Sequence, residues 1–319
     1  MTEYSVMVPF VAQRPEQVLQ YAAMVQWTNA ERLWQGQSML VESHQQGAFA
    51  AGMGFRVPIG IGVSLMPLSH PYQAAVQARS LAMSTGHPVI AGFGPGPTVF
   101  QRSMLGRPYR SQLTAVREYV QIVRGLLDGD TVDVSGEYFC FQGGLYDFPA
   151  PRVDVGLGVL RPGMARLAGE VADVAITWLT PASYLRDVIV PALREGAAAA
   201  GRPVPKVTAM VPLALRRADR EAGEIALAGN AMHLKFPHYT DMLRRAGILI
   251  EGVDPAADAR ALVEGGAFLS GDLDGLVKRL RAYADADVDE IVLNVTGVLN
   301  LFGPQAALNE VKTILKAVA

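Results

Sequence analysis

Eight short apolar segments alternate with segments of helical periodicity along the 319-residue chain. Parallel strands are joined by crossover helices, so this alternation predicts an α/β protein built on a parallel sheet. The predicted strands are residues 5–10, 33–34, 59–65, 89–93, 153–157, 174–177, 206–215 and 290–295. Eight such units favour a closed (β/α)₈ barrel, or TIM barrel, and a doubly wound open sheet is the alternative.

Two segments interrupt the alternation. Residues 130–152 follow the fourth unit and contain two β-rich runs around Ser135-Gly136, which predicts a small β-hairpin insertion. Residues 216–271 follow the seventh strand and are predicted to be a mostly helical insertion with a break at 252–255. The polar segment 35–46 is expected to be a loop. No repeat or flexible linker divides the chain, so residues 1–319 are predicted to form a single domain.

The amino-acid composition limits the kinds of partner that the protein is expected to bind. The 28 Lys and Arg residues nearly balance the 30 Asp and Glu residues, which argues against nucleic acid or an anionic membrane surface as a partner. We find neither a signal peptide nor an apolar run of the roughly 18 residues that a spanning helix needs. The single cysteine, Cys140, fits a reducing compartment. We therefore expect a soluble, cytoplasmic protein.

Several common catalytic and metal-binding motifs are missing from the sequence. It has no His-Glu-x-x-His, no Gly-x-Ser-x-Gly and no Gly-x-x-x-x-Gly-Lys, and its five histidines are scattered, so no metal site is expected. The residues that follow the predicted strands are mostly apolar or small. No pair of carboxylates stands out for hydrolysis. The turn Gly92-Phe-Gly-Pro-Gly96 lacks the glycine spacing of a dinucleotide fingerprint.

One strand–turn–helix–strand unit, residues 153–177, has features that favour the binding of an anion. Pro162 suits the first position of a helix, and Met164, Leu167, Ala168 and Val171 form one apolar helical face. The free N–H groups of this helix start, with Arg161 beside them, suit a phosphate. A tight turn with a solvated arginine is the alternative. A glycine-rich, apolar barrel mouth with one anion site suits a flat aromatic cofactor that carries a phosphate.

Several segments together carry a resemblance that runs over nearly the whole chain. They are Gly60-Ile-Gly-Val-Ser-Leu-Met-Pro-Leu-Ser-His-Pro71, residues 81–96, Gly136-Glu-Tyr-Phe139, Phe268-Leu-Ser-Gly-Asp272 and above all Gly158-Val-Leu-Arg-Pro-Gly-Met-Ala-Arg-Leu-Ala-Gly-Glu-Val-Ala-Asp173. In this order they resemble the bacterial-luciferase-like family of flavin- or deazaflavin-dependent oxidoreductases. Val174 stands where that family's last motif usually has glycine, and His87 stands where arginine is usual.

The resemblance implies a barrel with a non-prolyl cis peptide, Gly62–Val63, at the end of the third strand. It places the phosphate of the cofactor at the turns after strands five and six, and the ring system against strands three and four. Trp178 is then a pocket wall, or alternatively a core residue. The implied cofactor-binding residues are Gly62, Val63, Ser64, Phe93, Gly94, Gly158, Val159, Arg161, Thr177 and Trp178.

The amino-acid sequence around Arg161 resembles the branch of the family that uses the deazaflavin coenzyme F420. FMN is the alternative cofactor. This implies a reductase that moves hydride between the deazaflavin and an electron-poor C=C or C=N bond of a small-molecule or peptide-like biosynthetic substrate. An FMN-dependent monooxygenase and a non-catalytic flavin-binding barrel are the other two hypotheses. The resemblance also implies a homodimer.

The source of the proton is unassigned, because the second strand ends in Trp34-Gln-Gly-Gln-Ser38 where many deazaflavin members have an acidic and basic pair. The polar candidates nearby are Gln37, Ser38 and His44, with Glu42 beside them. A tyrosine, Tyr72 or Tyr138, or a water molecule could also serve. His70 is interpreted as orienting the loop after strand three.

Overall fold

Eight parallel strands close into a barrel in the computed structural model, which describes residues 2–319. The barrel strands are β1 (Glu3–Met7), β2 (Leu33–Gln35), β3 (Ile59–Leu65), β4 (Val89–Gly94), β7 (Val153–Gly158), β8 (Val174–Trp178), β9 (Lys206–Leu215) and β11 (Glu290–Asn294). They pair in this order, and the β1–β11 pairing completes the ring. The prediction of a closed TIM barrel is confirmed, and the open sheet is wrong.

Thirteen helices among residues 2–319 surround the barrel or belong to its insertions. They are α1 (Leu19–Gln26), α2 (Ser43–Gly52), α3 (Pro71–Thr85), α4 (Thr98–Leu105), α5 (Gln112–Asp128), α6 (Pro162–Val171), α7 (Ala182–Tyr184), α8 (Val190–Ala199), α9 (Ala222–Asn230), α10 (Pro237–Arg245), α11 (Pro255–Glu264), α12 (Leu273–Ala284) and α13 (Thr296–Ala317). Within the described residues, no helix is both long and apolar enough to cross a membrane.

The hairpin insertion consists of β5 (Val132–Ser135) and β6 (Cys140–Gly143), which pair antiparallel as predicted. One carboxylate attaches this hairpin to the barrel. Glu118 of α5 accepts hydrogen bonds from the backbone N–H groups of Glu137, Tyr138 and Phe139, at 2.8 to 3.0 Å. The turn of the hairpin is therefore held by a helix of the barrel.

Two local predictions differ from the structure. Strand β1 ends at Met7 and does not reach residue 10, because Pro9 has no N–H to donate to a ladder. The segment 35–46 is not all loop, since α2 begins at Ser43 after Glu42, whose side chain caps the helix by accepting from Gln45 N at 3.0 Å. After β8, a π-helical turn at Leu185–Ile189 separates α7 from α8.

A ninth parallel strand, β10 (Leu269–Gly271), was not predicted, because three residues show no usable periodicity. It pairs with the last three residues of β9, Leu213–Leu215, at the end of β9 that extends past the barrel. The predicted break at 252–255 agrees with the structure, because α10 ends at Arg245 and α11 begins at Pro255.

The barrel interior is filled by its own set of apolar side chains: Met7, Trp34, Ile90, Val174, Ile176, Met210 and Val292. A larger core lies between the strands and the helices. At the amino-terminal end of the barrel, Trp34 Nε1 donates to Glu290 Oε1 at 2.6 Å, and Ser5 Oγ donates to the same oxygen. The lumen is closed at this end, so the open end lies at the carboxyl ends of the strands.

Candidate active site

A cavity of about 1360 Å³ occupies the carboxyl end of the barrel. Its walls come from the ends of β1, β2, β3, β4, β7 and β8, from α4, and from the helical insertion around α10. This is where active sites of TIM barrels lie, because the loops after the strands converge there. The lining is mostly apolar, and its only Asp, Glu, Lys or Arg residues within the described chain are Arg161 and Asp241.

The turn between β7 and α6 has the uncapped helix start and the neighbouring arginine on which the predicted anion site depends. Val159 N donates to Ile176 O at 2.7 Å, which ties the end of β7 to β8. Arg161 is the extended N-cap residue, Pro162 opens the helix, and no side chain caps it. The N–H groups of Gly163 and Met164 therefore lack intrahelical acceptors and are available to an anion at the helix start.

The Arg161 side chain lies beside this helix start and is about half exposed, at 46%. Its Nη1 atom is 3.5 Å from Asp241 Oδ2, and that carboxylate also accepts from Arg245 Nε at 3.0 Å. At this exposure the pair with Asp241 is weak. Arg161 can therefore move from the carboxylate to a bound phosphate at little cost.

The floor of the cavity is formed at the cis peptide Gly62–Val63, whose cis geometry confirms the prediction. The β3–β4 register shifts between Ile61 and Ser64 at this point, so the chain bulges toward the lumen. A Cβ atom on Gly94 would lie 3.0 Å from the Val63 side chain, and one on Gly158 would lie 3.5 Å from it. Glycine at both positions leaves a flat, apolar surface over Val63.

Eight of the ten residues implied as cofactor-binding line this one cavity: Gly62, Val63, Gly94, Gly158, Val159, Arg161, Thr177 and Trp178. Ser64 and Phe93 do not line it. They are register partners in neighbouring parallel strands, so they share the side of the sheet that faces away from the lumen. Phe93 is buried against Tyr119 of α5, with ring centroids 5.4 Å apart.

The three catalytic candidates fall in different places. Gln37 and Ser38 line the cavity. The Gln37 amide is already occupied, because Oε1 accepts from Leu65 N at 3.1 Å and Nε2 donates to Ser38 O at 2.9 Å. His44 lies outside the cavity, beside a separate groove between α2 and α3, with its Nδ1 2.6 Å from Glu42 Oε1. The structure therefore does not bring His44 to the site.

The other polar candidates do not line the cavity either. The Tyr138 hydroxyl accepts from Ser111 N at 2.9 Å, and Tyr72 packs against Phe141 with ring centroids 5.5 Å apart. His70 is the N-cap of α3 and accepts from Tyr72 N at 3.2 Å. This hydrogen bond is consistent with the interpretation that His70 orients the loop after β3.

Sequence reasoning did not identify the individual residues that the helical insertion contributes to the cavity wall. His233, Phe236, His238 and Tyr239 all line the cavity, and the His233 ring stacks on Trp178 with centroids 5.0 Å apart and planes at 25°. Burial lowers the pKa of His233 to about 4 and that of His238 to about 4. No short motif could have shown this, because Trp178 and the insertion are more than fifty residues apart in the sequence.

Gln35 was also missed. It is the last residue of β2 and lines the cavity, and its side-chain Nε2 is buried without a hydrogen-bond partner. A buried amide nitrogen normally has an acceptor. Its position could have indicated it, because Gln35 directly follows Trp34 at the end of the second strand. This is the strand end at which many deazaflavin members have an acidic and basic pair.

The closed barrel, its glycine-lined floor and its cationic helix start define a TIM-barrel protein with a large, mostly apolar cavity at the carboxyl ends of the strands. The family described as luciferase-like monooxygenase matches residues 2–290. The chain belongs to this family, and it is an oxidoreductase.

Relatives and solved structures agree with this assignment. The chain is 28% identical over 262 residues to an F420-dependent glucose-6-phosphate dehydrogenase of Nocardia farcinica, covering 78% of this chain and 77% of the relative. It is 31% identical over 229 residues to a 5,10-methylenetetrahydromethanopterin reductase of Methanolobus tindarius, covering 69% and 65%. An F420-dependent secondary alcohol dehydrogenase superposes with a TM-score of 0.79 at 17% identity, covering 100% and 99%. At that identity the superposition shows the shared fold.

Proposed function

We propose that this protein is a coenzyme F420-dependent oxidoreductase that transfers hydride between the deazaflavin and an electron-poor C=C or C=N bond. The observation that carries the proposal is the uncapped start of α6 with Arg161, next to the glycine floor over Val63. The relatives from Nocardia farcinica and Methanolobus tindarius support the choice of cofactor, since the first is named for its dependence on F420.

The residues present fit such a cofactor. Gly94 and Gly158 leave space for a flat ring over Val63, and Gly62 could not be larger, because its Cβ would lie 2.6 Å from Met210 Cε. The helix start and Arg161 would hold the phosphate. A bound reduced deazaflavin supplies a hydride and reacts poorly with oxygen. The protein's own part is to hold the ring against the floor and to shield it from water.

We infer further that the substrate is uncharged and largely apolar. The cavity has a single Lys or Arg side chain within residues 2–319, Arg161, and the cofactor phosphate would engage it. Among the described residues, no second Lys or Arg lines the cavity to hold a phosphorylated substrate, and a buried unpaired phosphate is costly. The substrate would therefore differ from the sugar phosphate in the name of the Nocardia farcinica relative.

We also propose that the protein is a cytoplasmic homodimer and that a peptide-like compound is one class of substrate. The FMN-dependent monooxygenase is the alternative within the same fold. A type II Baeyer–Villiger monooxygenase in complex with FMN superposes with a TM-score of 0.73 at 18% identity, covering 100% of this chain and 98% of that one, so this barrel also supports that chemistry. Oxygen consumption separates the two functions, because a deazaflavin enzyme would consume none.

Titration of the apoprotein with F420 and, separately, with FMN tests the proposal. We expect tighter binding of F420, and we expect Arg161→Ala to weaken it about tenfold or more, since a hydrogen bond to a charged group contributes roughly 1.5–3 kcal/mol. Arg166→Ala is the matched control, because Arg166 lies on the same helix but bonds Glu195 at the surface. Binding of FMN alone would replace the reductase by the monooxygenase. Binding of neither would refute both.

A further inference from the structure

The imidazole of His233 is held in a fixed orientation in the cavity wall. It lies in a short 3₁₀ turn, His233–Lys235, between α9 and α10. One face of the ring stacks on Trp178, and the ring of Tyr239 meets it edge-on with centroids 5.0 Å apart and planes at 88°. Two packed aromatic neighbours restrict its rotation, so His233 presents a defined edge to the cavity.

Neither ring nitrogen of His233 has a hydrogen-bond partner within residues 2–319. Nδ1 is buried from solvent, and the residue lines the cavity. A buried N–H without an acceptor is rarer in proteins than a buried acceptor without a donor. The proton of the neutral ring therefore belongs on Nε2, and His233 presents a free N–H donor to the open space of the cavity.

The charge of this donor suits an uncharged ligand. Desolvation by burial keeps the imidazole neutral at pH 7, and His238 nearby opposes its protonation. A neutral imidazole is a poor general acid, but its N–H can polarise a carbonyl group without adding a charge to the pocket. The Trp178 indole Nε1, also buried without a partner, lies in the ring stacked on His233.

We propose that His233 Nε2–H donates a hydrogen bond to the carbonyl oxygen of an uncharged substrate, most simply an α,β-unsaturated carbonyl compound, and so determines which double bonds the enzyme accepts. This rests on the proposed hydride transfer. The hydride forms a new C–H bond at the β-carbon, the C=C pair shifts toward oxygen, and His233 stabilises the resulting enolate. A proton from water then completes the α-carbon, so one hydride and one proton are added.

Histidine-selective ¹⁵N NMR on the protein saturated with oxidised F420 tests this contact without turnover. The probe is 2-cyclohexen-1-one. Before the probe is added, we expect the ¹⁵N spectrum to show His233 protonated on Nε2. We expect the Nε2 signal to shift when the probe is added. His233→Phe, which retains a ring against Trp178, assigns the signal and should weaken probe binding about tenfold at most, the size of one neutral hydrogen bond.

His87→Phe is the control, because His87 lies in the loop between α3 and β4 and does not line the cavity. It should leave probe binding unchanged. A proton on Nδ1, probe binding that leaves the His233 signal unmoved, or no binding of the enone would each overturn the inference. Failure of F420 to bind would instead refute the proposed function. The two failures are distinguished because cofactor binding is titrated first.

Discussion

At the scale of single residues, we expect His233 to make the stability of the protein depend on pH. Its pKa is lowered to about 4 by burial, whereas an unfolded histidine titrates near 6.5. Between these values the unfolded chain binds more protons than the folded one, so stability falls as pH falls. We expect the free energy of unfolding to decrease by up to about 3 kcal/mol between pH 7 and pH 4 through this group.

Urea unfolding at several pH values measures this dependence. His233→Phe should flatten it, and the slope that remains belongs largely to His238, whose pKa is lowered by burial and by Arg161. A variant with the same pH dependence as the natural protein would contradict the assignment.

From the sequence, residues of the cavity could be located where a recurring motif contains them. Gly62, Gly94, Gly158 and Arg161 were named because glycines and an arginine recur in a recognisable order, and all four line the cavity. His233 could not be found this way. Its role depends on packing against Trp178, a contact between distant segments that no local pattern encodes.

At the scale of elements, the close packing of α6 on α8 fixes the helix whose start is the proposed anion site. A Cβ on Gly169 would lie 2.2 Å from Leu193 O and 2.7 Å from Ala197 N. Both obstacles are backbone atoms, so the helices would have to separate. We expect Gly169→Ala to cost about 3 kcal/mol, the upper end for overpacking, and to lower the Tm by several degrees.

Gly52→Ala is the matched control for this prediction. Gly52 is the last residue of α2, and a Cβ there would meet nothing within 4 Å. Alanine favours a helix over glycine by about 1 kcal/mol, so this variant should be unchanged or slightly more stable. Thermal unfolding of both variants decides the matter. Equal Tm values would show that the α6–α8 contact can relax.

Elements with a strong pattern were predicted to the residue, and short or pattern-poor elements were not. Strands β3 and β9 match their predictions because each is a long apolar run with clear flanks. Helix α2 was missed because its Gly- and Ala-containing sequence has no distinct apolar face. Strand β10 was missed because it is stabilised by pairing with β9 rather than by any local preference.

At the scale of the whole molecule, Glu290 joins the last strand to the first two. It is 3% exposed, accepts from Ser5 and Trp34, and lies 3.4 Å from Arg32 Nε. Removing its charge leaves Arg32 without its buried partner. We expect Glu290→Gln to lower the free energy of unfolding by about 3 kcal/mol in urea titrations.

Glu195→Gln is the control for barrel closure, because Glu195 pairs with Arg166 at the surface and such pairs contribute about 0–1 kcal/mol. If the two variants lose the same free energy of unfolding, the prediction is wrong. The barrel would then be held closed by the β1–β11 backbone hydrogen bonds rather than by Glu290. The closed barrel itself was predictable from the number of strands, since eight alternating units are what this architecture requires.

The pairing of β10 with the end of β9 has a consequence for how such proteins diverge. Gly271 is the register partner of Leu215, so the chain leaves the barrel framework and returns to it at adjacent backbone positions. The intervening segment is a module with closely spaced ends. Its length can change at little entropic cost, because loop closure depends only weakly on length. A lineage can therefore acquire a new cavity wall by exchanging residues 216–268, while the eight strands and the cavity floor are inherited unchanged.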